Sequence, residues 1–226
     1  MKLLALDTAT EACSAALWID GTVLERYQLA PRRHAALILP MLDAVLVEAG
    51  LTVAQLDAIA VGCGPGAFTG VRIAISIAQG IAFAADLPVV PISTLAALAL
   101  GAAREFGHGN LATALDARMG EVYWGTYRAE DGTVALLGEE QCCPAAAVAV
   151  PSGDWFGVGS GWPVYAEALS QRCLVSAWQG DRYPRAADVA RLAAGPGRRD
   201  AWVTAEHALP VYLRNQVAIR PAVRSG

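Results

Sequence analysis

Leu3-Leu4-Ala5-Leu6-Asp7, Cys13 to Ile19, Asp20-Gly21 and Thr22 to Leu29 decide the fold when read together. The first run is short, apolar and closed by an acid, the pattern of a buried strand. Cys13 to Ile19 is a second strand. Asp20-Gly21 is a hairpin turn, because both residues tolerate positive φ, and Thr22 to Leu29 is the strand that returns. Downstream, the pattern predicts a helix from about Arg33 to Ala49, stopped by Gly50. Pro40 inside it is expected to kink the helix or to move its start. Leu56 to Val61 is a strand, and the loop Gly62-Cys63-Gly64-Pro65-Gly66-Ala67-Phe68-Thr69-Gly70 follows. Val71 to Ala85 reads as a helix and Val89 to Ile92 as a strand. Ser93 or Thr94 then N-caps a helix running to about Phe106. Three antiparallel strands followed by β-α-β crossovers give a mixed sheet covered by helices.

The second half echoes the first. Ala5-Leu6-Asp7 returns as Ala114-Leu115-Asp116, Asp20-Gly21-Thr22-Val23 as Asp131-Gly132-Thr133-Val134, and Val61-Gly62-Cys63-Gly64 as Val158-Gly159-Ser160-Gly161. Three matches in one order, each at a strand end or turn, imply a duplicated α/β unit. That is the actin-like ATPase (ribonuclease-H-like) architecture of two lobes. The lobes are expected at 1–107 and 108–226, the second of them trimmed around the Ala-rich stretch from Pro144 to Val150.

Hydrophobic residues make up 55% of the 226 and charged residues 17%, so the chain is not of the disordered class. The apolar stretches Leu37 to Val47 and Ile73 to Ala85 are interrupted by Pro40 and Asp43, or by Ser76 and Gln79. Neither is the unbroken span of about 20 residues that a membrane helix needs. The N-terminus enters a strand directly, with no export signal, so the expected location is the cytoplasm. Five cysteines without a C-x-x-C pair fit reduced thiols. His34, His108 and His207 form no H-x-x-x-H or H-E-x-x-H, so no metal site is expected. Lysine occurs only at Lys2, which excludes a P-loop. The net charge of −4 argues against a dedicated nucleic-acid binder. The charge is uneven, however. Beyond Gly180 stand Arg182, Arg185, Arg191, Arg198, Arg199, Arg214, Arg220 and Arg224 against four acids. A solvated C-terminal face is the expectation, and a contact for an acidic partner or RNA the alternative.

In a duplicated fold of this kind, strand-end aspartates and glycine loops face one cleft. The candidate nucleotide-facing residues are therefore Asp7, Thr8, Gly64, Gly66, Thr69 and Asp116, with the loop from Gly157 to Gly161 opposite. Glycines admit phosphate oxygens to backbone N–H groups, and aspartates can hold hydrated magnesium. The plain alternative is that the glycines make turns and the aspartates cap helices. Phosphoryl transfer needs a charge clamp beside its base, and no lysine is there to supply one. Gly159-Ser160-Gly161 lacks the spacing of a nucleophile elbow. No catalytic residue is assigned, no cofactor is required, and weak nucleotide binding is left open. The two apolar helices carry a further reading. Leu37, Met41, Val71, Arg72, Ile75 and Gln79 are candidates for a helix-helix dimer interface, because a lobe of about 100 residues has limited core in which to bury both helices.

Leu4-Ala5-Leu6-Asp7-Thr8-Ala9-Thr10, Gly64 to Ile73, Asp116 to Trp124 and Pro210-Val211-Tyr212-Leu213-Arg214 together resemble the bacterial TsaB (YeaZ) family over nearly the whole chain. The resemblance implies a non-catalytic partner of TsaD in making threonylcarbamoyladenosine at position 37 of tRNAs that read codons starting with adenine. It implies a heterodimer with TsaD, recruitment of the ATPase TsaE, a homodimer when alone, and contact with tRNA only through the complex. The catalytic paralogue carries H-x-x-x-H after its fifth strand. The matching Pro91-Ile92-Ser93-Thr94-Leu95-Ala96-Ala97 has no histidine. Two other readings remain open: a stand-alone actin-fold ATPase or kinase using Asp7 and Asp116, and a glycoprotease-like peptidase.

Overall fold

The computed structural model describes residues 1–214. Strands β1 (Lys2–Asp7), β2 (Ala12–Ile19) and β3 (Thr22–Leu29) form the expected antiparallel meander, turned at Asp20-Gly21 with φ of 46° and 102°. Helix α1 (His34–Ala49) ends on Gly50 in the left-handed conformation, as its lack of a β-carbon allows. The helix starts at His34 and continues through Pro40. The proline sits on the exposed side, where the carbonyl it leaves without a donor is open to water. Strand β4 (Ala58–Gly62), helix α2 (Phe68–Ala85), strand β5 (Val89–Ile92) and helix α3 (Thr94–Phe106) complete the first unit. Ser93 caps α3, its hydroxyl accepting from Leu95 N at 3.1 Å and Ala96 N at 3.2 Å.

The second unit comprises β6 (Asn110–Arg118), β7 (Glu121–Glu130), β8 (Thr133–Leu136), β9 (Gln141–Pro144), β10 (Trp155–Val158), α4 (Gly161–Arg172), β11 (Val175–Gln179) and α5 (Ala186–Ala194). The sheets have strand orders β3-β2-β1-β4-β5 and β8-β7-β6-β10-β11, with β9 also paired to β7. The inner strands run parallel in both, β1 with β4 and β6 with β10. Topology thus repeats where the sequence echoed. The trimming is also located: where the first unit has α1, the second has only a short 3-10 turn at Ala145–Ala147.

The lobes exchange helices. Helix α3 covers β6, β7 and β8 of the second sheet, while α5 covers β1 and β2 of the first. One apolar core therefore runs from Leu3 and Ala5 through Leu98 and Val189 to Leu111 and Phe156. A second core lies between the first sheet and α1 and α2, and a third under α4 around Trp124, Trp155 and Trp162. The chain then returns to the first sheet. Val203 bridges Val89, and Ala205 and Ala208 are buried beside α2.

Helix α2 is apolar and long enough by composition to cross a membrane. It instead packs Gly70, Val71, Ala74, Ile75, Ala78 and Ala82 onto its own sheet. Four of the arginines beyond Gly180 are ion-paired in the fold. Arg182 binds Glu105, Arg185 binds Glu25, Arg191 binds Asp188 and Arg214 binds Glu121. Three of these pairs neutralise acids on earlier elements and the fourth lies within α5, so these four are not a free basic face. Arg220 and Arg224 lie outside the described residues.

Candidate functional site

A cleft of about 700 Å³ lies between the lobes, lined among others by Pro65, Gly66, Ala67, Phe68, Asp116, Arg118, Tyr123 and Ser160. Of the six candidate nucleotide-facing residues, Gly66 and Asp116 line it. Asp116 is held by its own turn and by α4. Its Oδ1 accepts from Arg118 N at 2.8 Å and from the Tyr165 hydroxyl at 3.2 Å, and Oδ2 pairs with Arg118 Nη1 at 2.8 Å.

Asp7 and Thr8 do not reach the cleft, because both are 0% exposed. Asp7 Oδ1 accepts from Ala9 N at 3.0 Å, while Oδ2 is buried with no partner among the described residues. Burial pushes this carboxyl up to about 7, against the smaller opposing effect of the Ala9 bond. The Thr8 hydroxyl donates to Gly70 O at 2.7 Å, tying β1 to the first turn of α2. Asp7 is thus a strand-end group enclosed by the core rather than an exposed magnesium ligand. Sequence alone does not show the enclosure, because Gly62 and the loop that cover it come from β4.

The glycine loop is likewise engaged by the chain itself. Cys63 N donates to Ile92 O at 2.9 Å, Gly64 N to Thr94 Oγ1 at 3.2 Å, and Ala67 N to Ala9 O at 2.7 Å. A β-carbon on Gly66 would lie 2.3 Å from Ala9 O, and one on Gly70 2.1 Å from Thr8 O. These glycines let the loop lie against the end of β1. The second lobe repeats the device, with Gly159 pressed to 2.4 Å from Ala114 O by the same measure. Thr69 faces away, into a groove between α1 and α2.

The region matching the paralogue's histidine pair is filled by other groups. Thr94 N donates to Gly64 O at 2.9 Å. Glu140, from the loop before β9, accepts from both the Ser93 and Tyr127 hydroxyls at the N-terminus of α3. A carboxylate there interacts favourably with the helix dipole. Burial and the Glu140 charge push the Tyr127 hydroxyl far up, which keeps it a donor. Among the described residues no three His, Cys, Asp or Glu side chains converge as a metal site.

The candidate interface residues divide. Val71 and Ile75 are 1% and 3% exposed within the chain's own core, so they face their sheet and are withdrawn from an external surface. The physical reason is that α2 needs one complete stripe to cover β1 and β4. Leu37 and Met41 are half-buried and Arg72 is exposed. Gln79 donates to Ala208 O at 3.0 Å. The outward groove between α1 and α2 is lined by Ala35, Phe68, Thr69, Arg72, Ile73, Ser76 and Ile77. Leu39 on α1 and Phe83 on α2 are exposed large apolar side chains on the same two helices.

Sequence reasoning missed the C-terminal segment's part in the cleft. Val211, Tyr212 and Arg214 line it. Val211 N donates to Cys63 O at 2.7 Å, and Arg72 Nε donates to the Tyr212 hydroxyl at 2.7 Å. Pro210 to Arg214 stood out as a motif, but its partners lie some 90 to 150 residues upstream and leave no local pattern.

With this geometry in view, comparison with known proteins is direct. The chain is 43% identical to the tRNA threonylcarbamoyladenosine biosynthesis protein TsaB of Escherichia coli, covering 96% of each chain. It is 40% identical to the protein of the same name from Haemophilus influenzae, covering 96% of this chain and 95% of that one. The chain belongs to the TsaB family. Residues 27–190 also match the family model described as TsaD: tRNA N6-adenosine threonylcarbamoyltransferase. The structure of YeaZ from Pseudomonas aeruginosa superposes with a TM-score of 0.89 at 50% identity, covering 94% of this chain and 99% of that one. The two-lobed α/β fold expected from the sequence is therefore that of the family.

Proposed function

We propose that this chain acts in tRNA threonylcarbamoyladenosine biosynthesis as a non-catalytic subunit in the cytoplasm. It pairs with TsaD through the outward face of α1 and α2, recruits the ATPase TsaE, and meets tRNA only through the complex. The reaction it supports is threonylcarbamoylation of adenosine 37 in tRNAs reading codons that start with A. Alone, it forms a homodimer through the same face. No cofactor is required, and any nucleotide binding is weak.

One observation carries the non-catalytic reading. The groups that an actin-fold phosphotransferase would turn toward substrate are here engaged within the chain: Asp7 is enclosed, the loop N–H groups of Cys63, Gly64 and Ala67 are bonded internally, and Glu140 occupies the N-terminus of α3. The relatives' names support the pathway. The apolar outward groove supports pairing, since contiguous exposed apolar surface on a folded chain marks interaction sites.

The test is reconstitution of tRNA threonylcarbamoylation by TsaD with and without this chain. Strong dependence on the chain is expected, and equal product in both arms overturns the reading. A stand-alone ATPase is the rival, and ATP turnover by the purified chain that disappears in Asp7→Asn would establish it.

A further inference from the structure

We propose that Val211 to Arg214 is an intramolecular latch that holds the two lobes together across the cleft. These four residues span both sides. On the first lobe, Val211 N donates to Cys63 O at 2.7 Å, and a β-carbon on Gly64 would lie 2.6 Å from Val211 O, so the strap lies flat on the glycine loop. The φ of +109° at Gly64 is open to glycine but strained for other residues. The Tyr212 ring packs on Phe68 with centroids 5.6 Å apart and its hydroxyl accepts from Arg72 Nε, while the Arg72 guanidinium lies 3.6 Å over the Phe68 ring. On the second lobe, Arg214 Nη2 donates to Ala117 O at 2.8 Å and Arg118 O at 3.3 Å and pairs with Glu121, all at the β6–β7 turn.

The two ends are chemically separate. Val211 and Tyr212 grip the glycine loop and α2, and Arg214 grips the turn that carries Asp116. Between the lobes, the strap lines the same cleft as Gly66 and Asp116. A ligand entering to reach the glycine loop therefore meets the strap, and separating the lobes requires one grip to release. Arg72 lies in the α1–α2 groove as well as the cleft, so the latch is fastened to a residue of the outward face.

The separation of the grips supplies the test. Amide hydrogen exchange of the Val211 N–H, followed on the full-length chain, reads the first-lobe grip alone. In a latch, Arg214→Ala, which cuts only second-lobe contacts, accelerates Val211 exchange about tenfold, and Arg72→Ala does so from the other end. Amides of β1 keep wild-type protection as the control for folding. If β1 also accelerates in Arg214→Ala, the milder Glu121→Gln replaces it under the same reading. Unchanged Val211 exchange in the second-lobe variant, or a wild-type Val211 amide as fast as in an unstructured peptide, overturns the latch.

Discussion

A β-carbon on Gly62 would lie 1.8 Å from Oδ2 of Asp7. The carboxyl group fills the space that any larger residue at position 62 would need, and β4 seals it from the cleft. Gly62→Ala should therefore destabilise the chain by overpacking, by about 1–3 kcal/mol or more. A urea midpoint that falls without a change in slope is the expected result.

Asp7 itself makes stability depend on pH. Unfolded, its carboxyl ionises near the ordinary 3.8; folded, burial raises this to about 7. Between those values the folded chain holds a proton that the unfolded chain releases, so stability falls as pH rises through the interval and levels off above it. The loss attributable to this group is at most about 4 kcal/mol. Asp7→Asn keeps an acceptor for Ala9 N and cannot ionise. Thermal or urea unfolding across the interval should show a flatter profile for the variant, and greater stability than wild type at the alkaline end.

Two substitutions one residue apart on α2 should separate core from surface. Ile75 is buried against the first sheet, so Ile75→Glu puts an unpaired charge in the core and should prevent stable folding. Ser76 is exposed in the outward groove beside Ile73 and Ile77. Ser76→Glu should leave unfolding within about 0.5 kcal/mol of wild type while weakening self-association and TsaD pairing. Light scattering and pull-down read the second effect, and a melting curve the first.

Helices α3 and α5 are joined by charge. Asp188, 1% exposed, accepts from Arg104 Nη1 at 2.7 Å and Arg191 Nη1 at 3.1 Å, and Gly101 leaves room for its carboxylate. Arg104→Ala leaves that buried acid with one cation and should cost about 1–3 kcal/mol. Asp188→Ala leaves Arg104 and Arg191 half-exposed and able to hydrate, but opens a gap beside Gly101. Denaturant unfolding of both variants should show losses that do not add in the double mutant.

Much of the fold was legible locally. The Asp20-Gly21 hairpin, the stop of α1 at Gly50, the Ser93 cap and strands β3 and β5 all follow from residues within a few positions of one another. The duplication was legible because its markers sit at turns and strand ends, where backbone geometry restricts residue choice. Helix α1 starts at His34 rather than nearer Pro40, since the packing of Ile38, Leu42 and Val45 on the first sheet outweighs a missing hydrogen bond on the wet side. The site was less legible. Asp7 and Asp116 are equivalent in sequence, yet one is enclosed and the other lines the cleft, because β4 brings Gly62 against the first while the β6–β7 turn holds the second at the rim.

The sequence by itself determined the strand and helix order of the first unit, the presence of a repeat and the family to which the chain belongs, because these depend on short-range periodicity and on residue types matched in order. Only the tertiary structure decided which side of α2 is core, that the late arginines answer early acids, and that Val211 to Arg214 crosses the cleft. Those outcomes depend on contacts between residues far apart in the chain, whose side-chain surroundings are created only when the sheets, the exchanged helices and the returning C-terminal segment pack together.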